Sequence, residues 1–335
     1  MKYSTLLVVA GFFLSSCDKN ESFNQFNSSI SFEVSDQILD GEKVKCVDFD
    51  PDGNAWIAVG SSLHFYDGKI SGTYEVNAEI WDISVGPDGK VWIATKDRGL
   101  AKLSDGNFTY YTKENSGLPR DFIGTVEAAP DGSVWFSSSA HDLGGLMHYD
   151  GNEFELFTPE NSILNQHVIS DLKIDRKGNV IFTSEGTVTE AKVFMIDKRR
   201  RMTALGDDTE FYWIGALDVN SKSEAIVADD HSLSSCFGCY KDAVSIFRKG
   251  KWTKIEADFD LGFFFNRMFV DKRDYIWVQG SMKGENLRYF VFDGDEWHHS
   301  PQDMFSGAFI YSVKVDPHNN IWFCTNDGIY ILNQS

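Results

Sequence analysis

The residues best suited to chemistry are aromatic and polar side chains that recur at near-equal intervals. Trp81, Trp213 and Tyr311 share one recurring position with Lys45, Gly124, Ser170 and Asn266. The residue that follows each is drawn from Cys46, Asp82, Thr125, Asp171, Ile214, Arg267 and Ser312. Arg120, His141, His167, Tyr212, His231 and Phe264 are further candidates for the same neighbourhood. Flat indole and phenol faces beside Asp and Arg suit a sugar: its ring stacks on the aromatic and its hydroxyls bond the polar groups. On that chemistry the expected ligand-binding residues are Trp81, Asp82, Arg120, Asp171, Trp213, Arg267 and Tyr311. Aromatics also serve simply as packing, and Phe263–Phe265 reads as core.

Three other constellations deserve chemical readings. Cys236-Phe237-Gly238-Cys239 sits in a long loop from Asp229 to Ala243. A redox Cys-x-x-Cys opens a helix, which this loop does not predict, so a local disulfide between Cys236 and Cys239 is expected outside the cytosol. Zinc is the alternative, with His231 and Asp230 the only near partners. Cys46 and Cys324 fall inside strands and read as buried small residues. His141, His167 and His231 could meet Asp142, Glu185 or Asp230 as an acid–base pair. The eight histidines show no metal-binding spacing; no metal, catalytic residue or cofactor is expected, and binding is favoured over catalysis. Lys198-Arg199-Arg200-Arg201 reads as a solvated turn.

The elements that must hold these residues come from a repeated hairpin: an apolar strand, an Asp/Gly turn, then a short strand carrying Trp. Its clearest copies are Val47–Ala58, Ile83–Ala94, Ala129–Phe136 and Asp316–Phe323; Asp175–Phe182, Asp218–Val227 and Asp271–Val278 are worn. Equivalent positions 56, 92, 135, 181, 226, 277 and 322 recur with a period near 45, the spacing of a four-stranded propeller blade. Asp-Gly supplies the positive φ of a tight hairpin, and Trp fills the wedge between blades that widens outward. An isolated Asp-x-Asp-Gly also resembles a calcium loop, but Gly86 and Ala129 replace Asp50 in the next two copies, so the turn explanation is preferred. Blade 2 predicts strands at Ile80–Val85, Val91–Thr95, Leu100–Leu103 and Phe108–Thr112. The last blade lacks a fourth strand, and Ile30–Val34 is expected to supply it and close the ring. The fold class is all-β, a seven-bladed β-propeller over 30–335.

The N-terminus carries an address. Met1-Lys2 precedes the apolar stretch Leu6–Leu14, too short to span a bilayer but suited to a secretion signal. Leu14-Ser15-Ser16-Cys17 resembles the bacterial lipobox, which implies a signal peptide over 1–16 and a Cys17 that carries acyl chains such as palmitate. Residues 17–29 form the expected lipidated Cys and tether, and the membrane is met only through the lipid. The acidic residues after Cys17 resemble a Bacteroidota surface-export signal. The outer membrane is expected, facing the periplasm or the cell surface.

Composition narrows the partners. Among 335 residues, 50 Asp and Glu outweigh 31 Lys and Arg, giving a net charge of -19 that argues against nucleic acid or a bare anionic membrane. The hairpin, together with Asn115-Ser116-Gly117-Leu118-Pro119, Asn161-Ser162-Ile163-Leu164 and Tyr149-Asp150-Gly151, resembles the two-component regulator propeller repeat. That family is found in periplasmic sensor domains of hybrid histidine kinases from glycan-degrading Bacteroidota and in stand-alone lipoproteins. The last blade runs to the C-terminus, so the resemblance implies a binding or accessory lipoprotein rather than a kinase. The expected ligand is a glycan or another extracellular small molecule, with an outer-membrane or sensor protein as a further partner. The fold also resembles streptogramin lyase, which uses His, Glu and magnesium; a lyase or hydrolase at the same mouth and a protein–protein scaffold are the alternatives. Sialidases share the turn motif, but no matching arginine triad can be placed among the ten Arg.

Overall fold

Each blade starts from a capped turn. In blade 1, Asp50 Oδ1 accepts the N–H groups of Asp52 and Asn54, and Oδ2 accepts Asn54 Nδ2. Asp175 and Asp316 repeat the arrangement with Asn179 and Asn320, and Asn220 and Asp271 bind the backbone in the same way. Asp88 and Asp131 take over where Gly86 and Ala129 stand. These oxygens are occupied by the turn itself, which is the hairpin reading and not a calcium loop. The fourth turn residue has positive φ in all seven copies: Gly53, Gly89, Gly132, Gly178, Ser223, Asp274 and Asn319. Blades 5, 6 and 7 therefore keep the turn conformation without its glycine.

The computed structural model describes residues 30–334 except 141–142, 186–190, 207–210, 212, 231–241, 257–259, 262–267, 282–287, 302–303 and 306. Its strands form seven antiparallel sheets, a seven-bladed β-propeller with no helix among the described residues. The inner strands, blades 1 to 5 and 7, are Val44–Phe49, Ile80–Val85, Val126–Ala128, Val168–Ile174, Trp213–Val219 and Ile310–Val315. In blade 6 the inner position is split between Asp260–Leu261 and Met268–Val270, both paired with Ile276–Ser281. Blade 2 follows its expected strands within one residue.

Seven apolar clusters occupy the wedges, built around the recurring position: Trp92, Trp135, Ile181, Ile226, Trp277 and Trp322 are buried, and Trp56 is partly so. The Asn-Ser linkers are built alike. Asn115 accepts from Thr112 N and donates to Tyr110 O, Asn161 does the same with Thr158 and Leu156, and Leu118 and Leu164 plug into the core.

An inner strand has one unpaired edge, and side chains of the preceding blade satisfy part of it. Asp48 accepts Val85 N, Asp82 accepts Val126 N, Asp171 accepts Leu217 N, Asp218 accepts Val270 N, and Ser84 Oγ accepts Ala128 N, all at 2.7–3.1 Å.

The ring closes as expected in kind but four residues further along the chain. The outer strand of blade 7 is Val34–Ile38, paired with Gly328–Leu332, and not Ile30–Val34. An outermost strand faces water, and Ser35, Asp36 and Gln37 fit that place. Ile30 and Phe32 instead enter the wedge beside Trp277, with Phe32 and Trp277 5.6 Å apart. The side chain of Gln334 stands in for a strand there: Oε1 accepts Ser31 N at 3.1 Å and Nε2 donates to Ser31 O.

Candidate functional site

Five of the inner strands, those of blades 1, 2, 4, 5 and 7, carry a β-bulge near one end, at the same place in each. Pairing slips around Lys45, Trp81, Ser170–Asp171, Gly215 and Tyr311, five residues before each turn or next to it. A bulged residue is released from the ladder and its side chain is re-aimed. Here the bulges ring the mouth of a central cavity of about 870 Å³ that runs from these residues down to Arg176, Ser221 and Lys272 at the opposite turns.

Of the expected ligand-binding residues, Trp81, Asp82, Asp171 and Tyr311 line this cavity together with Lys45, Gly124 and Ser170. Arg120 does not; it is half-buried, and its carbonyl accepts Ser138 Oγ. Trp213 begins the inner strand of blade 5 opposite Asp230, two residues before the bulge, so the rim position belongs to Gly215 and the one after it to Ala216 rather than Ile214. The worn turn Asn220-Ser221-Lys222-Ser223 hides the anchor from which the count is made. Arg267, Asn266, Tyr212, Phe263–Phe265, His141, His231, Cys17, Cys236 and Cys239 lie outside the described residues. Cys46 and Cys324 are buried and free.

At the mouth, aromatic rings and lysines alternate across blades 3, 2, 1 and 7. Phe122 meets Trp81 edge-on at 5.6 Å, Lys45 Nζ lies 4.1 Å from the Trp81 centroid and 5.4 Å from Tyr311, and Phe309 meets Tyr311 at 5.0 Å. Lys43 Nζ is 5.1 Å from Tyr311. Trp81 and Tyr311 are half-buried and Phe309 is 48% exposed. Leu143, at the start of a strand of blade 3, and Ile163, in the linker that follows that blade, are 58% and 55% exposed at the same end.

Below the mouth lies a charged level that the rim alignment alone does not single out. Asp48, Ser84, Glu127, Lys173, Asp218, Phe269 and Lys314 occupy one position, each directly across from the recurring Trp or Ile of the next strand. Charges two residues before each turn are the signal that would have found them. Lys314 pairs with Asp48 at 3.1 Å, and Lys173 with Asp171 at 3.2 Å and Glu127 at 3.9 Å. Burial raises the Glu127 carboxyl to about 7, against the pull of Lys314 and Lys173. Burial likewise raises Asp82 and Asp218. Burial works against charge on Lys173 and Lys314, but Asp171 and Asp48 respectively, each with help from Glu127, hold both above the ordinary lysine value. Asp82 and Asp171 are also spent on joining blades: Asp82 Oδ2 accepts Thr125 Oγ1 as well as Val126 N.

No histidine lines the cavity among the described residues. His167 is held by Gly144 O at 3.0 Å and Glu160 at 3.2 Å. Donor atoms close enough to share a metal ion occur at Asp293, Glu296 and His298, in an outer turn of blade 6 where Asp293 caps the N–H of Asp295 and Glu296. The basic turn at 198–201 is exposed, as expected, and one of its side chains is also engaged. Arg200 reaches across to blade 3, donating to His148 at 2.7 Å and pairing with Glu155, 5.1 Å from the Trp135 ring. Burial and then Arg200 push His148 down to about 4.

No protein-family model and no curated protein sequence matches the chain. Solved structures share its fold. One is the extracellular domain of the BT4673 one-component system from B. thetaiotaomicron, at a TM-score of 0.65 and 15% identity over 90% of this chain. This chain spans only 40% of that domain's length. Another is PorZ, a surface component of the type-IX secretion system of Porphyromonas gingivalis, at 0.63 and 14% over 87% of this chain and 46% of that one. A third is a catalytically inactive virginiamycin B lyase from Staphylococcus aureus with quinupristin, at 0.68 and 12% over 90% and 98%. At such identities the likeness concerns the fold. The neighbours include extracellular domains of B. thetaiotaomicron two-component regulators, the kind of protein the repeat resembles.

Proposed function

We propose that the chain is an extracytoplasmic lipoprotein, anchored through Cys17, whose propeller binds a glycan at its mouth in nutrient sensing or uptake. The observation that carries this reading is the row Phe122, Trp81, Lys45, Tyr311 and Phe309 around the opening of a cavity of about 870 Å³. Aromatic faces at the edge of a polar cavity match the two surfaces of a pyranose. The lipobox-like Leu14-Ser15-Ser16-Cys17 supports the anchor, and the extracellular neighbours accord with the location.

The test is thermal unfolding of the protein against a panel of oligosaccharides. A ligand at 100 times its dissociation constant adds about 2.7 kcal/mol, enough to move the midpoint. The shift is expected with one glycan class and is expected to vanish in Trp81→Ala. A flat panel that includes the organism's growth glycans rejects the glycan. A second reading, a protein partner, draws on the exposed Leu143, Ile163 and Phe309 at the mouth end. A co-purifying partner released by Leu143→Asp but not by Trp81→Ala would favour it.

A further inference from the structure

Lysines stand at two levels on the mouth side of the cavity. Lys173 and Lys314, at the deeper level, are each neutralised by an aspartate of the ring. Lys43 and Lys45, at the mouth, have no ion-pair partner among the described residues; their ammonium groups rest against Trp81 and Tyr311. The acid nearest to them in influence, Glu79, is taken by Lys96 at 2.8 Å. Asp82, one residue beyond Trp81, has its oxygens committed to Ile83 N, Thr125 and Val126 N.

Two cations with no ion-pair partner among the described residues, on a chain of net charge -19, favour the mouth over the rest of the surface as a place for an anion. A cation lying against an aromatic face keeps its outer hydrogens free for an anion, and the ring holds it in place. Neutral sugars need no such pair of charges. From the glycan reading of the mouth, on which this step rests, we propose that the ligand is an anionic sugar. Its carboxylate or sulfate sits between Lys43 and Lys45, and its ring lies against Tyr311 and the exposed Phe309. The negative field of the rest of the surface then disfavours acidic polymers elsewhere and leaves the mouth as their landing point.

Titration calorimetry with two matched pairs tests this: oligogalacturonate against its methyl ester, and dextran sulfate against dextran. The charged member of one pair is expected to bind at least tenfold more tightly than its neutral twin, and the pair that responds distinguishes carboxylate from sulfate. Lys45→Gln and Lys43→Gln are each expected to weaken that binding about tenfold, with the melting midpoint unchanged for the exposed Lys43. Equal binding of charged and neutral members, no binding of either charged probe, or full binding by the double variant overturns the proposal. In those cases a neutral glycan whose binding Trp81→Ala abolishes leaves the mouth as a glycan site, whereas a flat panel removes both.

Discussion

Glu127 provides a measurement of how the charged level of the cavity is balanced. Its carboxyl is raised from 4.5 to about 7 because burial outweighs Lys314 and Lys173. Between those two values the folded protein keeps a proton on Glu127 that the unfolded chain has released. The native state therefore binds more protons there, and its stability falls as pH rises from about 4.5 through about 7. At 1.36 kcal/mol per pKa unit, the full cost above pH 7 is about 3 kcal/mol. Glu127→Gln keeps the shape and carries no charge at any pH, so it escapes that cost. With an unfolding entropy of about 2.1 cal/mol/K per residue, a propeller of this size gains about 5 °C in melting midpoint from 3 kcal/mol. Melting curves of both proteins at intervals from pH 4 to pH 8 are the assay. The variant is expected to match the parent at pH 4 and to melt about 5 °C higher at pH 8. An offset that is constant with pH, or a variant that is less stable at pH 8, would refute the argument that burial dominates at this carboxyl.

Three further perturbations probe the scaffold. Asp82→Ala leaves Val126 N and Thr125 Oγ1 without their acceptor and is expected to cost about 2–4 kcal/mol in urea unfolding, with Asp82→Asn costing less. Gly99 has φ +73 and a Cβ there would lie 2.0 Å from Tyr111 O, so Gly99→Ala is expected to lose about 4 kcal/mol or more. Gly132→Ala, at φ +87 with no atom within 4 Å, should lose only about 1 kcal/mol, and equal losses at the two sites would contradict the packing argument. Gln334→Ala removes both hydrogen bonds to Ser31 and is expected to speed amide exchange at Ser31 by at least tenfold, while the centre of blade 2 exchanges as before.

The repeat was legible because its turns are chemically explicit: an Asp or Asn that caps and a residue at positive φ mark each hairpin, and a Trp or Ile of the wedge follows at fixed distance. The closing strand was misplaced because apolar alternation at Ile30–Val34 signals burial, and burial there means a wedge between blades, not an outer edge. The rim position was readable wherever the turn was intact. In blade 5 the worn turn shifted the count from Gly215 to Trp213. Asp82 and Asp171 were recognised as cavity residues, but their bonds to the next blade join residues more than forty positions apart, which no local pattern displays. The same distance hides the pairing of Lys314 with Asp48.

The most direct test of the central claim is the affinity of the glycan that shifts the melting midpoint, measured by calorimetry for the parent and for Trp81→Ala/Tyr311→Ala. If the ligand sits at the mouth, the double variant keeps its fold and binds about 30- to 150-fold more weakly, since stacking on each ring contributes about 1–1.5 kcal/mol. An unchanged dissociation constant in a folded double variant would place the ligand elsewhere and contradict the account.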